Sequence, residues 1–253
     1  MNHNTKKVKE LYEKSTDVYL RVTGYYIHGC APPDSFNLTT HILKQLNVKS
    51  GSVVLDCGCG MGKMLVDMAE IQPNIQFLGV TISEQQIKIA NRLKIENNVK
   101  NVEFILGDFH HLSDYFKVNS LDAVFFNESL FHSDNYKQVL FEVKKVLKHQ
   151  GVLYSKDFYI NRRIYKYIPF LKAYKLIKYI KNHYFYHPIL PGQMISTLKT
   201  FGFNVKHFEK PPYISDFQKV IDFEKAYGLQ TYKLIQKVNA IHWRELVAIN
   251  KNI

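Results

Sequence analysis

The chain has 253 residues, of which 46% are hydrophobic, and its 34 Lys and Arg against 22 Asp and Glu leave a net charge of +12. That length and apolar content suffice to bury one sizeable core. The basic excess favours an anionic partner, whether nucleic acid, a membrane surface or a phosphorylated small molecule. The cysteines, Cys30, Cys57 and Cys59, are odd in number and sparse, which argues against a disulfide framework. Cys57-x-Cys59 has no second Cys/His pair at ligand spacing, so small turn residues are the better reading than a metal site.

In chain order, the N-terminal residues carry no apolar leader, and no stretch reaches the ~18 apolar residues of a spanning helix, so a cytoplasmic location is expected. Residues from Thr5 to Leu20 read as an amphipathic helix, with Val8, Leu11, Tyr12, Val18 and Tyr19 as its apolar positions. A loop follows, punctuated by Gly24 and Pro32-Pro33 and carrying Tyr25, Tyr26 and His28, and it is a candidate lid. Phe36 to Leu46 is a helix, and Val53 to Asp56 is a short buried strand. Gly58, Gly60 and Gly62 come next, and a helix starts at Lys63.

Further strands are predicted at Ile75–Thr81, Val102–Gly107, Leu121–Asn127 and Gly151–Phe158. Helices are predicted at Ser83–Leu93, with Ser83 as N-cap, and at Asn135–Leu147. Phe201–Phe208 and Trp243–Ile249 read as two late strands. Alternating strand and helix predicts an α/β fold built on a doubly wound, mostly parallel sheet.

The whole chain, 1–253, is read as one domain. It divides into an arm or lid at 1–34, a core at 35–158, an inserted helical cap at 159–190, and a sheet-edge hairpin with C-terminal helices at 191–253. The cap has no acid between Phe158 and Phe208, and it interleaves Arg162, Arg163 and Lys166 with aromatics such as Tyr165. Leu171, Tyr174, Ile177, Ile180 and Tyr184 form an apolar stripe on a helix. Arg162 and Arg163 suit forked donation to a diphosphate.

The strand–glycine turn–helix unit admits close approach of a ligand to the backbone. Its G-x-G-x-G spacing is neither the dinucleotide fingerprint nor a P-loop. Asp56, just before the first glycine, can accept from a ligand amine. Leu55 to Gly62 resembles the first motif of the class I S-adenosylmethionine-dependent methyltransferases, an acid followed by alternate glycines after a hydrophobic strand. The resemblance implies a Rossmann-like seven-stranded sheet that ends in an antiparallel hairpin, with S-adenosylmethionine as cofactor. It places Asp56 near the methionine amine, and Gly58, Cys59, Gly60 and Gly62 along the cofactor turn. The stretch Gly79-Val80-Thr81-Ile82-Ser83 and then Gln86 resembles the cyclopropane-lipid synthases, which nominates Gln86 for the ribose and Thr81 and Ile82 beside the adenosine. Gly107-Asp108-Phe109 matches the family's adenine site, and Asn127 closes the cofactor set.

The fourth strand ends in Asn127-Glu128-Ser129, which resembles the prenyl diphosphate C-methyltransferases. The resemblance implies Glu128 as base, aromatic walls for the cation, and a Mg²⁺ bridged to the diphosphate. Glu128 itself reads as a carboxylate in an apolar neighbourhood that can stabilise a cation, and Glu128 and Asp134 are candidate contributors to the Mg²⁺ site. The expected acceptor contacts are Tyr25, Tyr26, His28, Arg162, Arg163, Tyr165 and Lys166. A second reading is O- or N-methylation of a small natural product with His132 or His28 as base. A third uses the basic cap for nucleic-acid or peripheral membrane docking, although no RNA-binding signature accompanies it. The acceptor and the oligomeric state, a homodimer included, stay open.

Overall fold

The computed structural model describes residues 1–27, 29–161, 170–216, 218, 221, 222, 225 and 241–251. The expectations placed on His28, Arg162, Arg163, Tyr165 and Lys166 lie outside the described residues.

The chain opens with α1 (His3–Thr23), longer than predicted because Asn2 caps it, its side chain accepting from Thr5 N at 2.8 Å. Then follow α2 (Leu38–Leu46), β1 (Val53–Cys57), α3 (Lys63–Ile71), β2 (Gln76–Thr81), α4 (Glu84–Glu96) and β3 (Val102–Leu106). Ser83 caps α4 as predicted, accepting from Gln86 N at 3.1 Å. The second half brings β4 (Leu121–Asn127), α5 (Tyr136–Val146), β5 (Leu147–Ile160), α6 (Phe170–Tyr184), α7 (Pro191–Thr200), β6 (Phe203–Glu209) and β7 (Ile241–Asn250).

The strands form one seven-stranded sheet in the order β3-β2-β1-β4-β5-β7-β6. β1 to β5 pair in parallel, and β7 lies antiparallel to both β5 and β6. The strand order therefore reverses between β1 and β4, and a crevice opens beyond their carboxyl ends. Both faces are covered, which explains the continuous apolar runs. One face packs Ile42 and Leu46 of α2, Met68 of α3 and Leu93 of α4 on Phe77 and Phe125. The other packs Leu140 and Val143 of α5 and Met194 and Leu198 of α7 on Leu55, Val124 and Leu246.

Two expectations change. β5 starts at Leu147, not Gly151, because Leu121 pairs with Leu147 before a register shift to Ala123 opposite Val152. The apolar stripe of α6 holds at Ile180, 1% exposed, but Tyr174 is 54% exposed and off the packed face. Lys175, Lys178 and Lys181 are exposed.

Gly62 shows why the turn into α3 needs a glycine. Its φ is +77°, and an added Cβ would meet Phe104 Cζ at 2.6 Å and Ala90 Cβ at 2.7 Å. Gly62→Ala should therefore destabilise the fold by about 1–3 kcal/mol, the usual range for overpacking, with a lowered midpoint in urea. An unchanged midpoint would mean that α3 and α4 separate freely.

Candidate active site

The crevice at the ends of β1, β2 and β4 is a cavity of about 930 Å³, its mouth included. Its floor is the glycine turn. Gly60 has φ +55° and nothing within 4 Å of an added Cβ, so its open side is kept for a ligand. Gly58 N and Cys59 N donate to Val80 O at 2.8 and 3.1 Å, which fastens the turn to β2. Gly62 does not line the cavity; its packing on Phe104 sets the angle of α3. Burial pushes the Cys57 and Cys59 thiols well up, so neither is a ready nucleophile.

Asp56 lines the cavity, is 3% exposed, and has no hydrogen-bond partner on Oδ1. Burial pushes its carboxyl well above the usual range. An orphaned, desolvated acceptor of this kind fits a ligand ammonium. Thr81 Oγ1 donates to Gln86 Oε1 at 2.7 Å, which leaves the amide NH₂ of Gln86 as its donor end. Ile82, Phe109 and Asn127 also line the cavity, and Phe109 stands edge-on to Phe126 at 5.8 Å.

Asp108 lies in a chain that sequence reasoning missed. Its Oδ1 sits 2.6 Å from His110 Nδ1, and His110 Nε2 sits 2.7 Å from Ser133 Oγ. Burial pushes the Asp108 carboxyl up, but hydrogen bonds from the side chain and backbone of His110 prevail and hold it below the usual range. Asp108 is thus fixed as an acceptor beside Phe109, as an exocyclic amine requires.

α1 roofs the cavity with Thr5, Val8 and Tyr12. It is tied down by Asn4 Nδ2 donating to His132 O at 2.8 Å and by Glu84 N donating to Glu13 Oε1 at 2.6 Å. Glu84 is 58% exposed at its side chain and pairs with Lys9. Tyr25 and Tyr26 line the cavity, and the Tyr26 hydroxyl donates to Asp67 of α3.

His132 also lines the cavity, with Nε2 2.7 Å from the Tyr12 hydroxyl. Burial, and then the nearby His187, lower its pKa to about 3. It is therefore neutral and a feeble proton acceptor near neutral pH.

Glu128 does not have the apolar neighbourhood expected for it. Its Oε2 accepts from Gly29 N at 2.5 Å and Cys30 N at 3.1 Å, and its Oε1 lies 2.5 Å from the ammonium of Lys156. Lys156 is 0% exposed and was not singled out in the sequence. The arrangement is a buried carboxylate on the cavity wall, fixed from behind. Asp134 is exposed and accepts from Asn2 Nδ2 at 3.0 Å. Among the described residues no group of three or more His, Cys, Asp or Glu is placed to hold a metal ion.

A family model described as a methyltransferase domain matches residues 48–227. The chain belongs to the class I S-adenosylmethionine-dependent methyltransferases. It is 30% identical over 152 residues to a sterol 24-C-methyltransferase of Gibberella zeae, covering 57% of this chain and 39% of that enzyme. The chain thus spans about two fifths of that relative's length. In fold it is similar to the [4+2]-cyclase SpnF, with a TM-score of 0.79, 20% identity, and 98% and 96% of the two chains covered. It is also similar to geranyl diphosphate C-methyltransferase from Streptomyces coelicolor A3(2), solved with Mg²⁺, a thiolodiphosphate and S-adenosylhomocysteine. There the TM-score is 0.78, at 15% identity and 98% coverage of each chain.

Two outcomes test the cofactor half. Gly60→Val should abolish S-adenosylmethionine binding in calorimetry while costing roughly 1–2 kcal/mol of stability through its left-handed backbone. Retained affinity in the folded variant would refute the assignment. Asp56 supplies the second test. An acid raised by burial keeps its proton to higher pH, and an ammonium beside it favours the carboxylate, so binding at mildly acidic pH should release a proton. The binding enthalpy should then vary with the ionisation heat of the buffer, and Asp56→Asn should abolish that dependence.

Proposed function

We propose that the protein methylates an alkene carbon of an isoprenoid-type acceptor, with a prenyl diphosphate as the leading class. The single observation behind this reading is the contrast between two groups on the cavity wall. Glu128 is an anchored carboxylate, and His132 is a neutral imidazole with a pKa near 3. An amine or phenol acceptor is served by a group that takes one proton, and His132 is poorly suited to that. An alkene acceptor passes through a carbocation, which needs a fixed negative charge and aromatic faces near it.

When bound, S-adenosylmethionine supplies an electrophilic methyl group on a sulfonium. The chain's own residues hold the acceptor and exclude water under α1. Glu128 offsets the developing positive charge and takes the proton that the cation must lose to restore a double bond. Tyr12, Tyr25 and Tyr26 present ring surface to the same cavity.

The name of the sterol relative and that of the geranyl diphosphate enzyme both specify transfer to carbon, which supports the acceptor class. The net charge of +12 suits a diphosphate, with Arg162, Arg163 and Lys166 as its candidate contacts. A magnesium ion would take most of its ligands from the diphosphate and water rather than from a protein cage.

The test is incubation with methyl-labelled cofactor against prenyl diphosphates, sterols, phenols and amines. Label should enter the prenyl diphosphates, and Glu128→Gln should lose about 10²–10⁴ in turnover, the range for a lost general base. Labelling of phenols or amines alone, or near-normal turnover by Glu128→Gln, would overturn the reading.

A further inference from the structure

Lys156 is placed where a lysine is costly. It sits in β5 with both faces of the sheet covered, and an ammonium there must be paired. Its Nζ has a partner for each of its three protons. These are Glu128 Oε1 at 2.5 Å, Tyr213 Oη at 3.0 Å and the Cys30 carbonyl at 3.2 Å. The Tyr213 and Trp243 rings lie 5.8 and 6.0 Å from it. Lys156 also holds the backbone of its partner, since Glu128 N donates to Lys156 O at 2.8 Å. That bond matters because Glu128 has φ +60°, a left-handed conformation that non-glycine residues adopt where the surroundings enforce it. Lys156 does not line the cavity and Glu128 does.

From this geometry we infer that Lys156 is the positioning residue of the reaction: it holds the Glu128 carboxylate in one orientation at the cavity wall without touching the acceptor. The inference rests on the reading that Glu128 acts on the acceptor.

Among the described residues, Tyr12, Tyr213, Cys30 and Asp157 also bear on Glu128, and none of them is a cation. Tyr12 of α1 and Tyr213, beyond β6, are pushed up by burial, and Cys30 of the arm is pushed up to about 11, so all three are neutral. Asp157, next to Lys156 on β5, is pushed well above the usual range by burial and brings no positive charge either.

The experiment compares wild type, Lys156→Met, Glu128→Gln and the double variant. Infrared difference spectra are recorded at neutral pH, and the Glu128 carboxylate stretch is identified by its absence in Glu128→Gln. In Lys156→Met that stretch should move in frequency, because the carboxylate loses its ammonium donor. Turnover at neutral pH should fall tenfold or more, within the general-base range, while cofactor Kd stays unchanged. The double variant should be no slower than Glu128→Gln alone, since Lys156 acts through Glu128.

An unchanged carboxylate stretch, or a double variant slowed by the product of the two single losses, would overturn the proposal. Should Lys156→Met not fold alone, the double variant decides by the same comparison, because replacing both partners of a buried pair is far milder than removing one. The infrared arm needs no acceptor. Failure to methylate any alkene would therefore defeat the functional reading separately from the role of Lys156.

Discussion

The buried pair between Lys156 and Glu128 draws four separate pieces of chain to one point. Glu128 stands just past β4, Lys156 lies within β5, Gly29 and Cys30 close the arm, and Tyr213 comes from the stretch after β6. Their side chains are 0% and 3% exposed, so neither charge has water to fall back on. Removing one partner of such a pair costs about 3–5 kcal/mol, because the survivor is left buried and unpaired. An apolar pair of the same volume would do as well or better for stability alone. That makes an energetic reason for keeping two charges here weak, and a chemical reason for the carboxylate correspondingly stronger.

The cavity divides along the same line. The part of the cavity around the glycine turn is built where parallel strands end: Asp56 to Gly60 at the end of β1, Thr81 to Gln86 at the end of β2, and Asp108 and Phe109 after β3. The sheet fixes these loops, and backbone bonds such as Gly58 N to Val80 O lock them to one another. The rest of the cavity is lined by the arm, the end of β4 and the roof helix α1. Apart from Glu128, whose N–H donates to Lys156 O of β5, its groups are held by side-chain contacts.

This division explains what the sequence made legible. β1 to β4 were readable because strands covered on both faces are runs of aliphatic residues between turns. The start of β5 was not, because Lys148 is half-buried, His149 and Gln150 are exposed, and backbone pairing alone extends the strand there. Asp56, Gln86 and Asp108 were readable because each sits at a fixed offset from a strand end. The contacts that set their neighbours' chemistry were not, since His110 reaches Ser133 across 23 positions, Glu128 reaches Lys156 across 28 and Tyr12 reaches His132 across 120. One trace was present: Ser155, Lys156 and Asp157 are polar residues in a stretch of β5 that otherwise reads as buried strand, and a lysine there calls for a buried partner. Gly62 was legible as a glycine but not by its reason, which is the ring of Phe104 and not the ligand.

The likeness to a [4+2]-cyclase at a TM-score of 0.79 shows that this fold does not dictate methyl transfer, or any one reaction. What selects a reaction is which ionised group faces the cavity once the roof is in place. Here the N–H groups of Gly29 and Cys30 donate to the same carboxylate that Lys156 holds. The loop that closes the arm is therefore seated on Glu128, and a carboxylate accepts two N–H bonds and an ammonium far better than a neutral acid does. Seating the arm and orienting Glu128 are a single interaction. A carboxylate fixed on the cavity wall thus follows from the same few hydrogen bonds that seat the arm, so the group that faces the cavity and the segment that covers it are set together.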